Sequence, residues 1–480
     1  MKLLERFIVK ALLPISTVDC PEFRKFISSI GPNFKTPCRQ TMKSMIIEDY
    51  KQEKEKIKQK LVEVDSIALT FDEWTSVSAK TFLSVIAHFK SGQVLKEILL
   101  SFVNMSGKTS AENIAEAIRK TVHDFNIADK IVSITTDNAA NCTAAVRLLD
   151  TSISGQKPIH LRCAAHSVNL IVKKGLKLLE TSLSGLRKVI HSIRSSPKKM
   201  QELENICKVK GIKFFKIKND VPTRWNSTYL MLESIMKMRD ALEHERAFAQ
   251  FDFDALEELV QILSPFYELT ELLSGSTYIS LGLVMAGITN IENMLGKFTC
   301  VHEENKQVVQ SFLDDIAERF LAFSDLQLVG LFFDVRLKFD KLPDYISQSD
   351  AIERIESFFR PYIQEDDIEV QQQMEKQTKL TILIFGGQTK PNNQSLHSEI
   401  VRYLSIPQSP NISIDVIKWW EVQKNQFPKL YQLSQIFLIC QATSVAPERI
   451  FSKGGELITK KRNCLSDSTS ESLLCLHSWL

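Results

Sequence analysis

The sequence predicts a mixed α/β fold, with one sheet that has an antiparallel edge and a parallel remainder, followed by a long helical region. Three apolar runs with short connections, 65–71, 81–90 and 94–105, are typical of consecutive antiparallel strands. Two further apolar runs, 130–137 and 159–163, alternate with helical patterns, which is typical of parallel strands joined by crossover helices. The order predicts a sheet of five strands.

Helical patterns surround these strands. Residues 1–62 have the pattern of helices, with an exposed amphipathic stretch around 51–60. After the third strand, Thr109 and Glu112 have the spacing of a capping box, which predicts a helix start. The apolar side chains that follow recur at steps of three and four residues, as on one face of a helix: Ile114, Ile118, Val122 and Phe125.

The rest of the chain is predominantly helical. Helices are expected over 139–149 and 164–179, on either side of the fifth strand. Residues from about 180 to 400 carry helical patterns with little strand character. The cluster of Gly, Pro and Asn in 380–398 predicts an exposed linker, and 416–441 returns to a helical pattern.

The composition limits the classes of protein to consider. The chain of 480 residues is 44% apolar and 24% charged, with a net charge of +3, so no overall basicity indicates a polyanionic partner. Nine cysteines without a CxxC pair favour a reducing intracellular compartment. Charged residues interrupt the N-terminal apolar stretch, and no apolar run has the length of a membrane span. We therefore expect neither a signal peptide nor a membrane partner.

A local excess of basic residues lies within this nearly neutral chain. The segment 171–225 contains fourteen Lys and Arg against four Asp and Glu. Such a concentration is typical of a phosphate-binding face, and it includes Lys213, Lys216 and Lys218. The alternative is a solvated helix surface, and charge alone does not decide between them.

Two aspartates follow apolar runs that we expect to be strands. Asp72 stands at the end of the first strand and Asp137 at the end of the fourth. Carboxylates at strand ends of one sheet can converge at a single edge, where their mutual repulsion is relieved by a hard cation such as Mg²⁺. The alternative is that each aspartate only forms a turn.

Five stretches, taken together and in order, resemble the hAT superfamily of cut-and-paste DNA transposases. They are FDEWTS, ITTDNAANC, LRCAAHSVNLIV, PTRWNSTYLML and the block from WWEVQK to RNCLSD near the C-terminus. The resemblance runs from about residue 2 to the end, and it implies a ribonuclease H-like core interrupted by a large all-α insertion. The implied divisions are an N-terminal helical region, the first part of the core, the insertion, and a dimerisation region that completes the core: 1–62, 63–178, 179–400 and 401–480.

The resemblance also implies a DDE catalytic site. Asp72, Asp137 and Glu448 would be the catalytic residues and the ligands of Mg²⁺ or Mn²⁺. Glu448 would lie on a helix that packs against the sheet, and Pro447 suits the first turn of such a helix because its missing N–H is not needed there. The alternative for Glu448 is a surface ion pair with Arg449, which contributes little stability.

Two further motifs carry implied DNA contacts. Cys163 and His166 match the family's C-x-x-H, in which His166 borders the site and contacts DNA. Without the resemblance, they are interpreted as a buried thiol and a helix-capping or core imidazole. Arg224 and Trp225 match the family's RW motif, in which the indole stacks on an extruded base. Without the resemblance, Trp225 is interpreted as a core residue.

Two departures from the family pattern leave two functions open. The sequence has no C-x₂-C with H-x₃₋₅-H, the ligand spacing of the BED zinc finger, and Glu73 follows Asp72 where a small or neutral residue is usual. The first function is a metal-dependent transposase. The alternative is a catalytically silent nuclear regulator that binds DNA and dimerises through the C-terminal region. The apolar side chains of 419–479 are expected to leave a patch for a second copy, with burial under the insertion of the same chain as the alternative.

Overall fold

The structure, a computed structural model, contains one five-stranded mixed sheet and many helices. The residues that it describes are 1–76, 79–105, 109–149, 157–221, 224–243, 245–275, 278–320, 324–363, 395–409, 411, 413–459 and 465–480. Among these residues, no helix has both the length and the apolar character needed to cross a membrane.

The sheet has the predicted mixture of antiparallel and parallel strands. Its strands, in chain order from β1 to β5, are Ile67–Thr75, Thr81–Ser91, Val94–Asn104, Ile131–Thr136 and Ile159–Arg162. The spatial order is β3-β2-β1-β4-β5. The first three strands pair antiparallel, and β4 and β5 add to β1 in parallel. Short turns permit the antiparallel pairs, whereas the parallel strands need the intervening helices as crossovers.

Twenty α-helices lie in the described part of the chain. The first ten, α1 to α10, are Lys2–Lys10, Pro21–Ile30, Arg39–Val62, Ala111–Asp124, Ala140–Leu149, Ala164–Leu176, Glu180–Arg194, Pro197–Val209, Trp225–Met236 and Arg239–Leu242. The others, α11 to α20, are Phe253–Leu273, Leu281–Lys297, Glu303–Phe320, Asp325–Phe333, Gln348–Phe359, Leu396–Ser405, Val416–Gln423, Pro428–Phe437, Val445–Leu457 and Asp467–Trp479.

Two boundaries differ clearly from the predicted ones, and one predicted segment is described only at its end. The helix α4 is capped by Ser110, whose side chain accepts from the backbone N–H of Asn113, so the predicted cap at Thr109 was wrong by one residue. Strand β1 runs on past Asp72, because its hairpin with β2 continues to Thr75 after the parallel pairing with β4 has ended. Most of the predicted linker 380–398 lies outside the described residues, and its last residues begin α16.

Two helical layers cover the sheet. Side chains of successive strand residues point to opposite faces, so Leu69 and Phe71 pack with α4 on one face. On the other face, Phe82 and Phe102 form one core cluster with α1, α19 and α20. Asp72 alternates with Phe71 and therefore points to the α19 side. A separate large core runs through the helical region from β5 onward.

Candidate functional site

The two aspartates lie at one edge of the sheet. Strands β1 and β4 are parallel and pair Thr70 with Thr135. Asp72 and Asp137 each lie two residues further along in the same direction. Both carboxylates thus lie just beyond the point where the parallel pairing of β1 with β4 ends, on the side of the sheet where ligands bind in sheets of this kind.

Helix α19 carries the third acid, Glu448. Two hydrogen bonds hold the residues shortly before this helix against β4 and α6. Thr135 Oγ1 donates to the carbonyl of Gln441 at 2.7 Å. The backbone N–H of Ala164 donates to the carbonyl of Ala442 at 3.0 Å. Glu448 then stands in the first turn of α19, which packs on β1 and β2. The structure therefore brings a residue from near the end of the chain to the edge that carries the aspartates.

The electrostatics of Asp72 reflect this crowding. Burial, and after it the negative charges of Asp137, Glu448 and Glu73, raise the pKa of its carboxyl to about 8, while a hydrogen bond from the Glu73 N–H opposes the rise. Like charges at short range and loss of water both favour the protonated form. Three other acids thus act on one buried carboxyl, and the shifts of the Asp72 pKa include no opposing contribution from a cation.

The raised pKa of Asp72 gives a stability prediction. The folded chain keeps this proton up to about pH 8, whereas the carboxyl has an ordinary pKa of 3.8, so stability falls as the pH rises from about 4 to about 8. The uncharged Asp72→Asn variant is expected to gain Tm relative to the wild type across that window and to level off above it. Thermal unfolding followed by circular dichroism, without divalent metal, measures the difference. A difference that stays constant with pH would contradict the prediction, and Asp129→Asn, at an exposed position, is the control.

Glu448 has cationic neighbours. Burial raises the pKa of its carboxyl, and the charges of Arg224 and Arg449 oppose the rise. Arg449 is held at the same time by the carboxylate of Glu97 at 2.7 Å and by the carbonyl of Ser274 at 3.3 Å. A surface pair between Glu448 and Arg449 alone does not describe this arrangement, because the guanidinium has other partners and Glu448 acts on the buried Asp72.

The carboxylates of Asp72, Asp137 and Glu448 are suitable ligands for a hard divalent cation, but they are not arranged around one common metal position. Carboxylate oxygens are the ligands that Mg²⁺ and Mn²⁺ prefer, and the charges of Asp137 and Glu448 both act on the carboxyl of Asp72. Within the part of the chain that the structure describes, no three His, Cys, Asp or Glu side chains meet closely enough to hold a metal ion. The three carboxylates are therefore close enough for their charges to affect Asp72, but they do not form a complete set of metal ligands.

Glu73 is held on the opposite side of the strand from Asp72. Its Oε2 accepts from Asn141 Nδ2 at 3.1 Å, while its Oε1 is buried without a hydrogen bond. Burial raises the pKa of the Glu73 carboxyl, which the Asn141 hydrogen bond opposes. The unusual residue thus ties β1 to α5 and adds a fourth negative charge near the aspartates.

Of Cys163 and His166, the cysteine matches the structural interpretation, whereas the histidine lies near the acidic site. Cys163 is buried and caps α6, because its Sγ accepts from the backbone N–H of His166 at 3.4 Å and from that of Ser444 at 3.3 Å. His166 is half-buried, and burial lowers its pKa while the charge of Asp137 opposes the shift. The thiol therefore has a structural role, and the imidazole lies within the electrostatic reach of the acidic edge.

Of Arg224 and Trp225, the tryptophan belongs to the core, whereas the arginine lies near the acidic site. Trp225 begins α9 and is 3% exposed, within the large helical core. This position matches the interpretation of Trp225 as a core residue, and it offers no free indole face for stacking on a base. Arg224 is exposed and acts electrostatically on Glu448. Only the arginine of this pair faces the site.

The basic segment leads toward Arg224. Lys213, Lys216 and Lys218 are exposed on the irregular stretch between α8 and α9. Sequence reasoning missed the residue that anchors this stretch, Asp220. Its nearly inaccessible carboxylate accepts from Arg187 Nε at 2.7 Å and from two hydroxyl groups in the first turn of α9. A lone acid at the end of a basic run was the available signal.

The apolar side chains of the C-terminal helices are covered by the same chain. Most of those in α17, in α18 and in the turn between them are buried: Trp420, Phe427, Leu430, Leu433 and Phe437. The expected exposed patch for a second copy was therefore wrong at these positions, and the alternative of cover within the chain holds. The cover comes from the preceding helical region, since Trp420 packs edge-on against Phe333 and also contacts the ring of Tyr403.

Three segments of the chain match known family regions. Residues 70–165 match the ZBED1 RNase-like domain, residues 161–258 the ZBED1 RNase-like helical domain, and residues 399–480 the hAT family C-terminal dimerisation region. The matched segments contain both aspartates, the basic segment and Glu448.

Similarity to curated proteins extends over the full chain. The chain is 27% identical to the putative AC transposase of Zea mays over 100% of its own length and 65% of that protein. It is 24% identical to the protein RICESLEEPER 2 of Oryza sativa subsp. japonica over 99% of the chain and 74% of the relative. Identity is also 24% to the putative transcriptional regulator tpeD of Talaromyces stipitatus, over 99% and 61%. The chain thus spans slightly less than two thirds of the length of the transposase relative. The matches together place the chain in the hAT superfamily, among the transposases and the proteins derived from them.

Proposed function

We propose that this protein is a hAT-type transposase or a transposase-derived protein that binds DNA and cleaves and joins its strands with Mg²⁺ or Mn²⁺. Asp72, Asp137 and Glu448 would be the catalytic residues and metal ligands on a ribonuclease H-like core. The observation that carries the proposal is the return of Glu448 to the edge of the sheet where the two aspartates lie. The mixed sheet and the match to an RNase-like domain agree with that core.

The three acids come from three differently built elements. Asp72 is fixed inside a strand, Asp137 stands at the turn after β4, and Glu448 lies on a helix packed across β1. When bound, divalent metal activates an attacking oxygen and stabilises the leaving oxygen of a phosphodiester. The chain itself supplies a negatively charged, partly water-excluded edge with an exposed arginine, Arg224, beside it. Burial lowers the pKa of His166 and so favours the neutral imidazole, which offers a hydrogen-bond donor to a phosphate.

A thermal-shift measurement tests the metal site without requiring turnover. At a pH above about 8, where Asp72 is ionised, millimolar Mg²⁺ or Mn²⁺ is expected to raise the Tm of the wild type, because a ligand that binds only the folded state stabilises it. Glu448→Gln should abolish this shift, and Asp129→Asn should keep it. An equal shift in Glu448→Gln would remove Glu448 from the ligand set.

The DNA-binding part of the proposal predicts the behaviour of the basic segment. Charge reversal of Lys213, Lys216 and Lys218 to Glu should weaken binding to duplexes of any sequence, because lysine contacts to phosphate carry no sequence information. The slope of log Kd against log salt should fall by up to about 3, near one unit for each lysine that neutralises a phosphate in the wild type. Fluorescence anisotropy with several unrelated duplexes over a range of salt measures both effects.

A matched control keeps the same change in net charge. Lys43, Lys51 and Lys60 are exposed lysines on α3, and their reversal to Glu should leave the slope unchanged. If both triple variants lose affinity equally, the effect comes from net charge, and the basic segment is only a solvated surface.

The silent regulator is retained as a second candidate because the acids do not close on an ion within the described residues and because one relative is named a transcriptional regulator. In that case DNA binding survives but metal binding does not. The metal-induced shift in Tm therefore separates the two functions.

We also propose a nuclear location and a homodimer. A DNA substrate agrees with the first, and the matched dimerisation region supports the second. Light scattering on the purified chain tests the dimer, which a monomeric mass throughout the micromolar range would contradict.

A further inference from the structure

The first turn of α19, which carries Glu448, is held in an unusual way. Ser444 stands at its N-cap position, but within the described part of the chain the serine side chain makes no capping hydrogen bond. A capping side chain ordinarily satisfies backbone N–H groups that have no partner inside the helix. The position of the Glu448 carboxylate therefore depends on other contacts that fix this turn.

Arg449, the residue after Glu448, ties the turn to two other elements. Its guanidinium donates to the Glu97 carboxylate on β3 at 2.7 Å and to the Ser274 carbonyl at 3.3 Å. Ser274 is the C-cap residue of α11, and the last carbonyl groups of a helix lack partners within that helix. Basic side chains donate to such carbonyl groups and also interact favourably with the negative end of the helix dipole. One side chain thus bridges the sheet and the helical region.

The segment before α19 is attached to the same helix end. Thr443 Oγ1 donates to the carbonyl of Leu273, the last residue of α11, at 3.3 Å. Helix α11 packs on α6 and α9 and contributes to the large helical core. The end of α11 is therefore a firm anchor, to which Thr443 and Arg449 attach on either side of Glu448 along the chain.

We infer that Arg449 is a positioning residue, which holds the first turn of α19, and Glu448 with it, at the edge of the sheet. This inference deepens the proposed function and rests on it for the role of Glu448 as a metal ligand. Arg449 acts through the position of Glu448, as residues outside the ligand set do when they orient a ligand. Its loss should therefore weaken the binding of a divalent cation.

The charge of Arg449 alone gives the opposite expectation. A guanidinium near a cation site repels the cation, so removal of the positive charge should tighten metal binding. Loss of positioning should weaken metal binding instead. The sign of the change in affinity thus separates a positioning role from a purely electrostatic one.

The test compares the Mn²⁺ affinity of three variants with that of the wild type, at the pH of the thermal-shift measurement. Arg449→Gln should raise the Kd at least about tenfold, the lower end of the effect of removing a residue that orients a metal ligand. Arg449→Lys should lie between this variant and the wild type, because an ammonium lacks the fork that serves two partners at once. The electron paramagnetic resonance signal of free Mn²⁺ measures Kd on the full chain.

Lys453→Gln is the matched control. It removes the same charge from α19 one turn further on, and the ion pair of Lys453 with Glu456 stays within that helix, so its Kd should equal that of the wild type. The Tm of metal-free Arg449→Gln should stay close to the wild-type value, because a partly exposed ion pair contributes little stability. A weaker site in this variant is then not a sign of unfolding.

A second measurement needs no metal. The amides of residues 449–452 donate to carbonyl groups one turn earlier, as in any α-helix, so their hydrogen exchange reports opening of the first turn. In metal-free Arg449→Gln they should exchange about fivefold faster than in the wild type, the factor that corresponds to loss of a partly exposed ion pair. In Lys453→Gln they should exchange at the wild-type rate.

The outcomes separate this inference from the proposed function. A higher Kd and faster exchange in Arg449→Gln, together with an unchanged Lys453→Gln, support the positioning role. An unchanged or lower Kd, or unchanged exchange, overturns the positioning role and leaves the metal site standing. A wild type that binds no Mn²⁺ overturns the metal-dependent function, and the exchange measurement then still decides whether Arg449 holds the turn.

Discussion

Replacement of Asp137 by Asn is expected to abolish metal-dependent DNA cleavage while leaving the fold and DNA binding intact. The amide has nearly the same shape as the carboxylate but lacks its charge, so the edge loses a ligand for the cation. The rate should fall by at least about a thousandfold, the upper end of the effect of removing one preorganised group that stabilises charge. Nicking of a supercoiled plasmid in Mg²⁺ or Mn²⁺ measures the rate.

Two controls make this result specific. Asp129→Asn changes the same chemical group at an exposed position before β4 and should cleave like the wild type. Unchanged affinity of Asp137→Asn for a duplex shows that the defect is chemical. Residual cleavage close to the wild-type rate would exclude Asp137 from the catalytic set.

Trp420→Ala is expected to cause the largest decrease in stability among single substitutions in the C-terminal region, about 3–5 kcal/mol. The indole is fully buried, and its Nε1 donates to the Phe333 carbonyl at 2.9 Å. Alanine leaves a cavity beside the rings of Phe333 and Tyr403 and a carbonyl without its partner. Urea unfolding measures the change.

This substitution also separates internal packing from an interface role. Trp419 is only partly buried at the edge of the same cluster, and Trp419→Ala should cost clearly less stability. The effect of Trp420→Ala should be independent of protein concentration, because the partners of the indole lie within one chain. A destabilisation that grows on dilution would place Trp420 at the dimer interface instead.

The strand order was predictable because loop length limits how strands pair. Hairpin-length connections favour the antiparallel edge and helical crossovers the parallel remainder, and the structure has both. The helix cap was displaced by one residue because Thr109 and Ser110 are both good caps, so composition does not distinguish them.

The cover of the C-terminal helices and the position of Glu448 could not be predicted from local sequence patterns. An apolar stripe such as the one around Trp420 indicates that it is buried, and it cannot indicate which chain buries it. Glu448 has no local signal beyond a Glu–Arg pair after a proline, so only the resemblance predicted its place beside Asp72. For Trp225, in contrast, the interpretation as a core residue, made without the resemblance, matches its burial.

The hydrogen bond from Thr135 to the carbonyl of Gln441 joins residues 306 positions apart, and this has a consequence for biosynthesis. The ribosome makes the sheet and the basic segment long before it makes α19. A nascent chain therefore carries Asp72, Asp137 and the exposed lysines while Glu448 has not yet been translated. The order of translation itself delays the proposed nuclease until the helical region has been made, so an incomplete chain would hold the basic segment without the means to cut.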